Sequence, residues 1–390
     1  MAAAGMRMRP IRLGDVSYPY YYGHDCIDDI LAALGEYDAD RFLVVTDDNV
    51  LALHGETLLE GLRALAPVEV LSLPAGDGMK SLDHLAGHLE RAVAAGATRR
   101  SVVIAFGGGV PGNLAGVLAA LLYRGVRMVH VPTTTVAAMD SVISLKQAIN
   151  SSRGKNHFGT YLTPQAVYLD VAFLRTLPDK QLRSGLCEAT KNCLAIAPQA
   201  IPAMRKLLAD GNLTAPESLL WLLEESLAAK TSVTAKDARE QGSGLILEYG
   251  HTVGHAVELC DQKLRGALGI SHGEAVMFGM LVAARIAAEL GVLTADEVAV
   301  HDELARALGA PLTVPAGITV DEIMATVRAD NKRGYTTAGS DEAVMVLLRG
   351  FGEPLGSPDL PLVTVPLRLV EDVVSGLLPA AARIAEEVAA

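Results

Sequence analysis

Cysteine is scarce in this chain, with four among 390 residues, and their placement excludes two kinds of protein at once. Cys26, Cys187, Cys193 and Cys260 form neither a CxxC metal pattern nor the dense spacing of a disulfide framework. They read as reduced, mostly buried thiols of a cytoplasmic protein. Long apolar runs are missing too. The longest near the middle, residues 114–122, is far too short to span a bilayer. The first ten residues carry two arginines but no apolar h-region, so no secretory signal is expected. Nor is there an excess of positive charge. A formal charge of −12 argues against nucleic acid and against an anionic membrane surface as partners. A small phosphorylated molecule stays open, because a site can be locally basic on an acidic protein. No internal repeat or low-complexity tract is visible.

What is present suffices for a large core. Half of the residues are hydrophobic and a fifth charged, over a length that suits two domains. The first part alternates strand-like and helix-like segments. Residues 41–45 (RFLVV), 68–73, 101–106 (SVVIAF) and 128–131 read as buried strands, each followed by a loop. Helices are expected from about residue 50, after Ser81, and from the glycines at 107–109 through Arg124. Such repeated units imply a largely parallel sheet with ligands at the carboxyl ends of its strands. After about residue 179 helical periodicity takes over, at 181–195, 217–235, 250–259, 273–290 and 295–308. A late hairpin is expected from 343–348 and 363–365. The expectation is an α/β domain over 1–178 and a mainly helical domain over 179–390, with ligand bound in a cleft between them.

Three groups of residues carry chemistry. Gly107-Gly108-Gly109 with Gly112 follows a strand and opens a helix, which lets backbone N–H groups approach a pyrophosphate. It is not the GxGxxG fingerprint, and a bare strand-to-helix turn has the same look. Asp47 and Asn49, at another strand end, suit ribose hydroxyls, or an Asx turn or helix cap. Thr133 and Thr134 add hydroxyls at the same sheet edge. Together these loops point to a dinucleotide. Farther on, His251 and His255 are four residues apart, which places both imidazoles on one helix face. With His272, opening the next helix, and Glu188 they supply imidazole and carboxylate for a divalent metal with an open position. Thr252 and Val253 stand between the first two histidines, so this is not HExxH. Finally, Arg124, Lys146, Lys155, Lys191 and Lys230 would bind phosphate and sugar hydroxyls if they converge, though singly each suits a solvated surface.

In order along the chain, GGGVPGNLAG (107–116), YRG (123–125), VPTT (131–134), Asp140 with Lys146, GKN (154–156), EATK (188–191), GHTVGH (250–255) and SHGE (271–274) resemble the sugar phosphate cyclases. The best-known members are the 3-dehydroquinate synthases. The resemblance implies a dehydroquinate synthase-like fold, an α/β N-terminal Rossmann-like domain plus a mainly α-helical C-terminal domain. It implies Glu188, His251 and His272 as ligands of zinc or cobalt, with His255 facing substrate and phosphate. Lys146, Lys155, Asn156, Lys191 and Lys230 would bind substrate with Asp140 near ring hydroxyls, and Lys332 matches a family lysine. Arg124 would reach a phosphate across a homodimer interface. For NAD the matching positions are Asp47, Asn49, Asp77, Lys80, Gly108, Gly109, Asn113, Thr133, Thr134, Thr176 and Gln181.

The departures narrow the substrate. Dehydroquinate synthases carry an arginine for the substrate carboxylate where this chain has Gly244, and an asparagine where it has Glu248. Together with SLKQA (144–148) and Asn113, these changes resemble the branch that cyclises glucose 6-phosphate, the 2-deoxy-scyllo-inosose synthases of 2-deoxystreptamine aminoglycoside biosynthesis. The implied reaction is transient oxidation at C4 by NAD+, loss of phosphate, re-reduction, ring opening and aldol closure. Glu248 is the expected proton acceptor. Valiolone-type cyclases acting on sedoheptulose 7-phosphate and polyol dehydrogenases of the glycerol dehydrogenase kind are the alternatives.

Overall fold

The computed structural model describes residues 5–379 except Arg153, and all of their side chains but those of Ala267 and Asn331. The chain divides into two compact units, Met1–Pro178 with Thr214–Leu227, and Asp179–Leu213 with Ala228–Ala390.

In the first unit the elements run β1 (Arg7–Leu13), β2 (Val16–Gly23), α1 (Ile27–Gly35), β3 (Phe42–Asp47), α2 (Asp48–Leu65), β4 (Val68–Leu73), α3 (Leu82–Ala94), β5 (Val102–Gly107), α4 (Gly109–Leu121), β6 (Arg127–Pro132), β7 (Lys146–Ser151), β8 (Gly154–Tyr161) and β9 (Ala166–Asp170). Seven strands form one sheet in the order β1-β2-β9-β6-β5-β3-β4, parallel except for β1 against β2. The unbroken apolar runs follow from burial of both faces. Phe42 and Val44 face one way, onto Leu58 and Leu62 of α2 and Ile30 and Leu34 of α1. Leu43 and Val45 face the other, onto Leu114 and Leu118 of α4 and Leu85 of α3. Each such side chain contributes about 1.5–3 kcal/mol of burial. The chain leaves β3 toward β4 on one side, whereas β5 and β6 lie on the other. The ends of β3 and β5 therefore flank a topological switch point, where open α/β sheets bind ligands.

Several elements differ from the sequence expectation. The β1–β2 hairpin is additional, and Pro10 facing Pro19 within it hides the strand signal. Residues 146–161 form a second hairpin, β7–β8. The helix expected to run through Arg124 stops at Leu121. Tyr123 and Arg124 then adopt left-handed φ of 51° and 67°, a strained pair held by the Tyr123 hydroxyl donating to the Ala97 carbonyl at 2.6 Å. Residues 214–227 join the first unit because Glu224 binds the hairpin. Its carboxylate accepts from Arg7 at 2.7 Å and Tyr22 at 3.2 Å.

The second unit comprises α5 (Asp179–Ala195), α6 (Ile201–Asp210), the later part of α7 (Pro216–Thr234), α8 (His251–Arg265), α9 (His272–Glu289), α10 (Ala295–Leu308), α11 (Val320–Arg328), strands β10 (Glu342–Met345), β11 (Leu348–Gly350), β12 (Glu353–Pro354) and β13 (Val363–Pro366), and α12 (Leu367–Gly376). The late hairpin is β10 against β13, antiparallel. Helix α9 is buried all round and forms the centre, with α5, α8, α10 and α12 against it. Capping boxes start α9, α10 and α11 at Ser271, Thr294 and Thr319. Among the described residues no helix is long and apolar enough to cross a membrane. All four cysteines are buried thiols outside any disulfide.

Candidate active site

In the first unit the glycine turn lies where β5 meets α4. Gly107 has φ 154°, and a Cβ there would meet the Pro111 ring at 2.8 Å. One residue on, a Cβ at Gly108 would press on Thr134, but one at Gly109 would meet nothing within 4 Å. The α4 N-terminus thus has open space beside it, and its first N–H groups are suited to an anion. Close by in the fold, the Thr133 N–H donates to the Gly107 carbonyl at 3.0 Å. Among the described residues the buried Thr133 hydroxyl oxygen has no hydrogen-bond partner, an atom available to a ligand. These features fit a dinucleotide.

The other expected nucleotide residues hold loops as well. Asp47 Oδ1 accepts from the N–H groups of Asn49 and Val50, both at 3.0 Å, and so caps α2. Thr134 Oγ1 accepts from the Ala137 N–H at 3.1 Å. Asn113 donates to the Gly109 carbonyl at 2.9 Å and accepts from the Ala148 N–H at 2.8 Å, joining the glycine turn to β7. Thr176 is exposed and its hydroxyl meets His54 Nε2 at 2.8 Å. Gln181 lies exposed on α5, in the second unit.

Asp77, Lys80, Lys155 and Asn156 do come together. Lys80 Nζ donates to Asn156 Oδ1 at 2.6 Å, and Lys155 Nζ lies 3.6 Å from Asp77 Oδ2. Asn150 sits between them, donating to Asp77 at 2.9 Å and accepting from the Asn156 N–H at 3.0 Å. Its linking role was missed, although a polar side chain inside a short strand was the available signal. Asp140 belongs to a π-helical turn, Ala137–Ser141, a form that often marks functional sites. Buried hydroxyls clamp that turn: Tyr20 donates to the Ala138 carbonyl at 2.9 Å, Tyr18 to that of Val142 at 2.6 Å. Lys146 is exposed at the start of β7, and Arg124 stands apart on its exposed turn.

In the second unit two close approaches gather the histidines. Gly250 takes φ 80° to start α8 at His251, and a Cβ at Gly279 of α9 would collide with the Gly250 carbonyl oxygen. A Cβ at Gly273 would likewise strike the Ser184 carbonyl oxygen of α5. Only glycine permits such contact, so α8, α9 and α5 bring their polar side chains to one place. His251, His255 and His272 each offer a ring nitrogen within 4.8 Å of the others. Glu188 Oε1 lies 3.4 Å from His272 Nε2 and 3.9 Å from His251 Nε2.

Glu188 is 2% exposed and pairs through Oε2 with the equally buried Lys191 at 2.6 Å. Burial opposes its charge, but Lys191 and the two imidazoles outweigh that and hold the carboxyl well below its ordinary range. His251 is pushed down to about 4, chiefly by burial and then by Lys191, and so is neutral and able to ligate. Burial would lower His272 too, yet hydrogen bonds to Glu188 and Glu258 raise it to about 10, so a bound cation must displace a proton. Imidazole with carboxylate, at this spacing, fits a zinc- or cobalt-like ion.

Beside this cluster, Lys332 is 1% exposed, with Glu248 Oε2 at 3.0 Å and Asp330 Oδ2 at 3.2 Å. Burial opposes the charge on Glu248, but Lys332 keeps its carboxyl well below the ordinary range. Lys230 is buried on α7. Gly244 is closed in: its N–H donates to Asp237 Oδ2 at 3.0 Å, and a Cβ there would meet that oxygen at 2.9 Å and Glu240 at 3.2 Å.

Comparison with known proteins places the chain in a family. Models of the 3-dehydroquinate synthase N-terminal and C-terminal regions match residues 70–184 and 185–333. A 2-deoxy-scyllo-inosose synthase from Streptoalloteichus tenebrarius is 47% identical over 384 residues, 98% of each chain. This chain belongs to the dehydroquinate synthase family, in its 2-deoxy-scyllo-inosose synthase branch. A crystal structure from that branch, complexed with carbaglucose-6-phosphate, NAD+ and Co2+, superposes with a TM-score of 0.88 at 34% identity, covering 95% of this chain and all of that one. Another cyclase of the family, 2-epi-5-epi-valiolone synthase from Streptomyces hygroscopicus with NAD+ and Zn2+ bound, gives 0.80 at 26% identity over 95% of this chain and 99% of its own.

Proposed function

We propose that this chain converts glucose 6-phosphate into 2-deoxy-scyllo-inosose and phosphate, a carbon–oxygen lyase reaction. The observation that carries the choice of substrate is Gly244. Where dehydroquinate synthases hold a carboxylate with arginine, this chain has no side chain, and Asp237 and Glu240 leave no room for one. A substrate without a carboxylate follows.

When bound, NAD+ supplies reversible hydride acceptance at C4, and the divalent ion supplies Lewis acidity toward the sugar oxygens. Glu188, His251 and His272 hold the ion. Gly108 and Gly109 admit the pyrophosphate, while Asp47, Asn49, Asp77, Lys80, Asn113, Thr133, Thr134, Thr176 and Gln181 surround the rest of the dinucleotide. Lys146, Lys155, Asn156, Lys191 and Lys230 bind hydroxyls and phosphate, and Asp140 orients the ring. His255, exposed beside the ion, faces the phosphate. Glu248 accepts the C5 proton. Its pairing with Lys332 keeps it ionised at neutral pH, at some cost in basicity. The protein acts as a homodimer, in which Arg124 of one protomer reaches the phosphate held by the other; the exposed turn that presents Arg124 supports this. Four buried thiols outside any disulfide suit the cytoplasm.

Purified chain with NAD+, Co2+ and glucose 6-phosphate tests the reading. Stoichiometric phosphate release without net NADH is expected. Net NADH without phosphate would make it a polyol dehydrogenase, and release from sedoheptulose 7-phosphate alone would move it to the valiolone-forming cyclases.

A further inference from the structure

One buried carboxylate of the second unit has no task in the reaction as described. Glu258 lies two turns after His251 on α8 and is buried. Its Oε2 is 3.0 Å from His272 Nδ1, and its Oε1 accepts from Gln262 Nε2 at 3.0 Å. The opposite nitrogen of the same ring, Nε2, is the one directed at Glu188. An imidazole that gives its Nδ1–H to a carboxylate leaves the Nε2 lone pair free for a cation, and the negative charge behind it makes that lone pair a better donor.

We propose that Glu258 is a positioning residue for the metal site, fixing the tautomer and aim of His272 so that Nε2 meets the ion. The inference rests on the reading that Glu188, His251 and His272 hold that ion. The three imidazoles are not equivalent in their support. His251 Nδ1 faces a neutral acceptor, the Tyr249 backbone carbonyl, at 3.1 Å. His272 has a carboxylate, that of Glu258. His255 has no hydrogen bond among the described residues and is exposed. The anionic partner therefore singles out His272 as the strongest imidazole donor, and Gln262 keeps that partner in place. The sequence alone could not show this, because Glu258 and His272 are on different helices and meet only through the glycine-mediated approach of α8 to α9.

The full chain, stripped of metal with a chelator, gives the test. Co2+ affinity is measured by chelator competition, and the site is followed by its visible d–d absorption. Glu258→Gln preserves the shape and an acceptor oxygen but removes the charge. It is expected to lower Co2+ affinity by about 10–100-fold and to shift the absorption bands, while the unfolding temperature of the metal-free protein stays close to that of the parent. Gln262→Leu should cause a smaller loss in the same direction. His251→Ala should abolish binding. Parental affinity and spectrum in Glu258→Gln, with binding lost in His251→Ala, would overturn the role of Glu258 and leave the metal site standing. Undiminished binding in His251→Ala would overturn the metal site itself, and the role of Glu258 with it. Should Glu258→Gln fail to fold, Gln262→Leu decides: weakened binding with a band shift supports the proposal, and unchanged binding overturns it.

Discussion

The nucleotide end, in the first unit, and the metal end, in the second, are built from different materials. At the nucleotide end the chain offers mostly main chain: a glycine turn, a helix N-terminus, and side chains such as Asp47, Thr134 and Asn113 whose polar atoms hold neighbouring N–H and C=O groups. The metal end is made of charges facing one another in or beside the interior, the buried pair Glu188 with Lys191 and the half-buried Glu248 with the buried Lys332. A backbone site tolerates exchange of side chains that do not fill its space. A set of buried charges does not, since removal of one member strands its partner in a poorly polarisable interior.

That contrast can be broken by four measurements. Glu188→Gln should produce the largest effect: loss of tight Co2+ binding and a fall in turnover beyond the ~10–100-fold expected from changes one layer farther out. Turnover near the parental rate would make the carboxylate dispensable and the contrast false. Lys332→Met comes next. It leaves Glu248 and Asp330 without their shared cation, and urea unfolding should show about 3–5 kcal/mol less stability.

The third measurement applies one change to both ends. Gly279→Ala drives a methyl into the Gly250 carbonyl and should cost about 1–3 kcal/mol or more. Gly109→Ala has open space around it, so its unfolding temperature should hold while the KM for NAD+ rises. Equal destabilisation by both would erase the distinction.

The smallest effect concerns Asp237, which receives N–H groups of Gln241, Gly242 and Gly244. Burial would raise its carboxyl, but these donors, Gly242 foremost, lower it below the ordinary range. A depressed value means its stabilisation is present above the unfolded value, near pH 4, and is lost as pH falls through the folded one. Asp237→Asn should therefore be slightly less stable than the parent at neutral pH and converge with it on acidification. A gap that stayed constant however far the pH was lowered, while both proteins remained folded, would show that the carboxylate charge is not what matters there.

How much of this was legible beforehand depended on which forces shaped each segment. Strands β3 and β5 could be read because burial of both faces leaves an unbroken apolar run. The β1–β2 hairpin, with its prolines and alternate exposed residues, and the polar, exposed β8 gave no such run. The helix after the glycine turn read past its true end because Leu122, Tyr123 and Arg124 look helical, and a left-handed φ leaves no mark in their identities. His251 and His255 stood out through their four-residue spacing, and His272 through its place at the start of the next helix. The partners that tune them, Lys191 for Glu188 apart, are distant in sequence, as with Lys332 and Glu248 or Glu258 and His272. The extension of the first unit to residues 214–227 likewise turns on one carboxylate, Glu224, whose partners lie some two hundred residues earlier.

The tyrosine hydroxyls of β2 give the amino-terminal hairpin a reach that its position conceals. By holding the two ends of the turn that carries Asp140, Tyr18 and Tyr20 make the geometry of a residue far along the chain depend on the first few folded segments. Trimming that hairpin, or fusing a tag that pulls on it, would act as a remote adjustment of the loop that carries Asp140. For anyone shortening this chain for use as a catalyst, its opening residues are working parts.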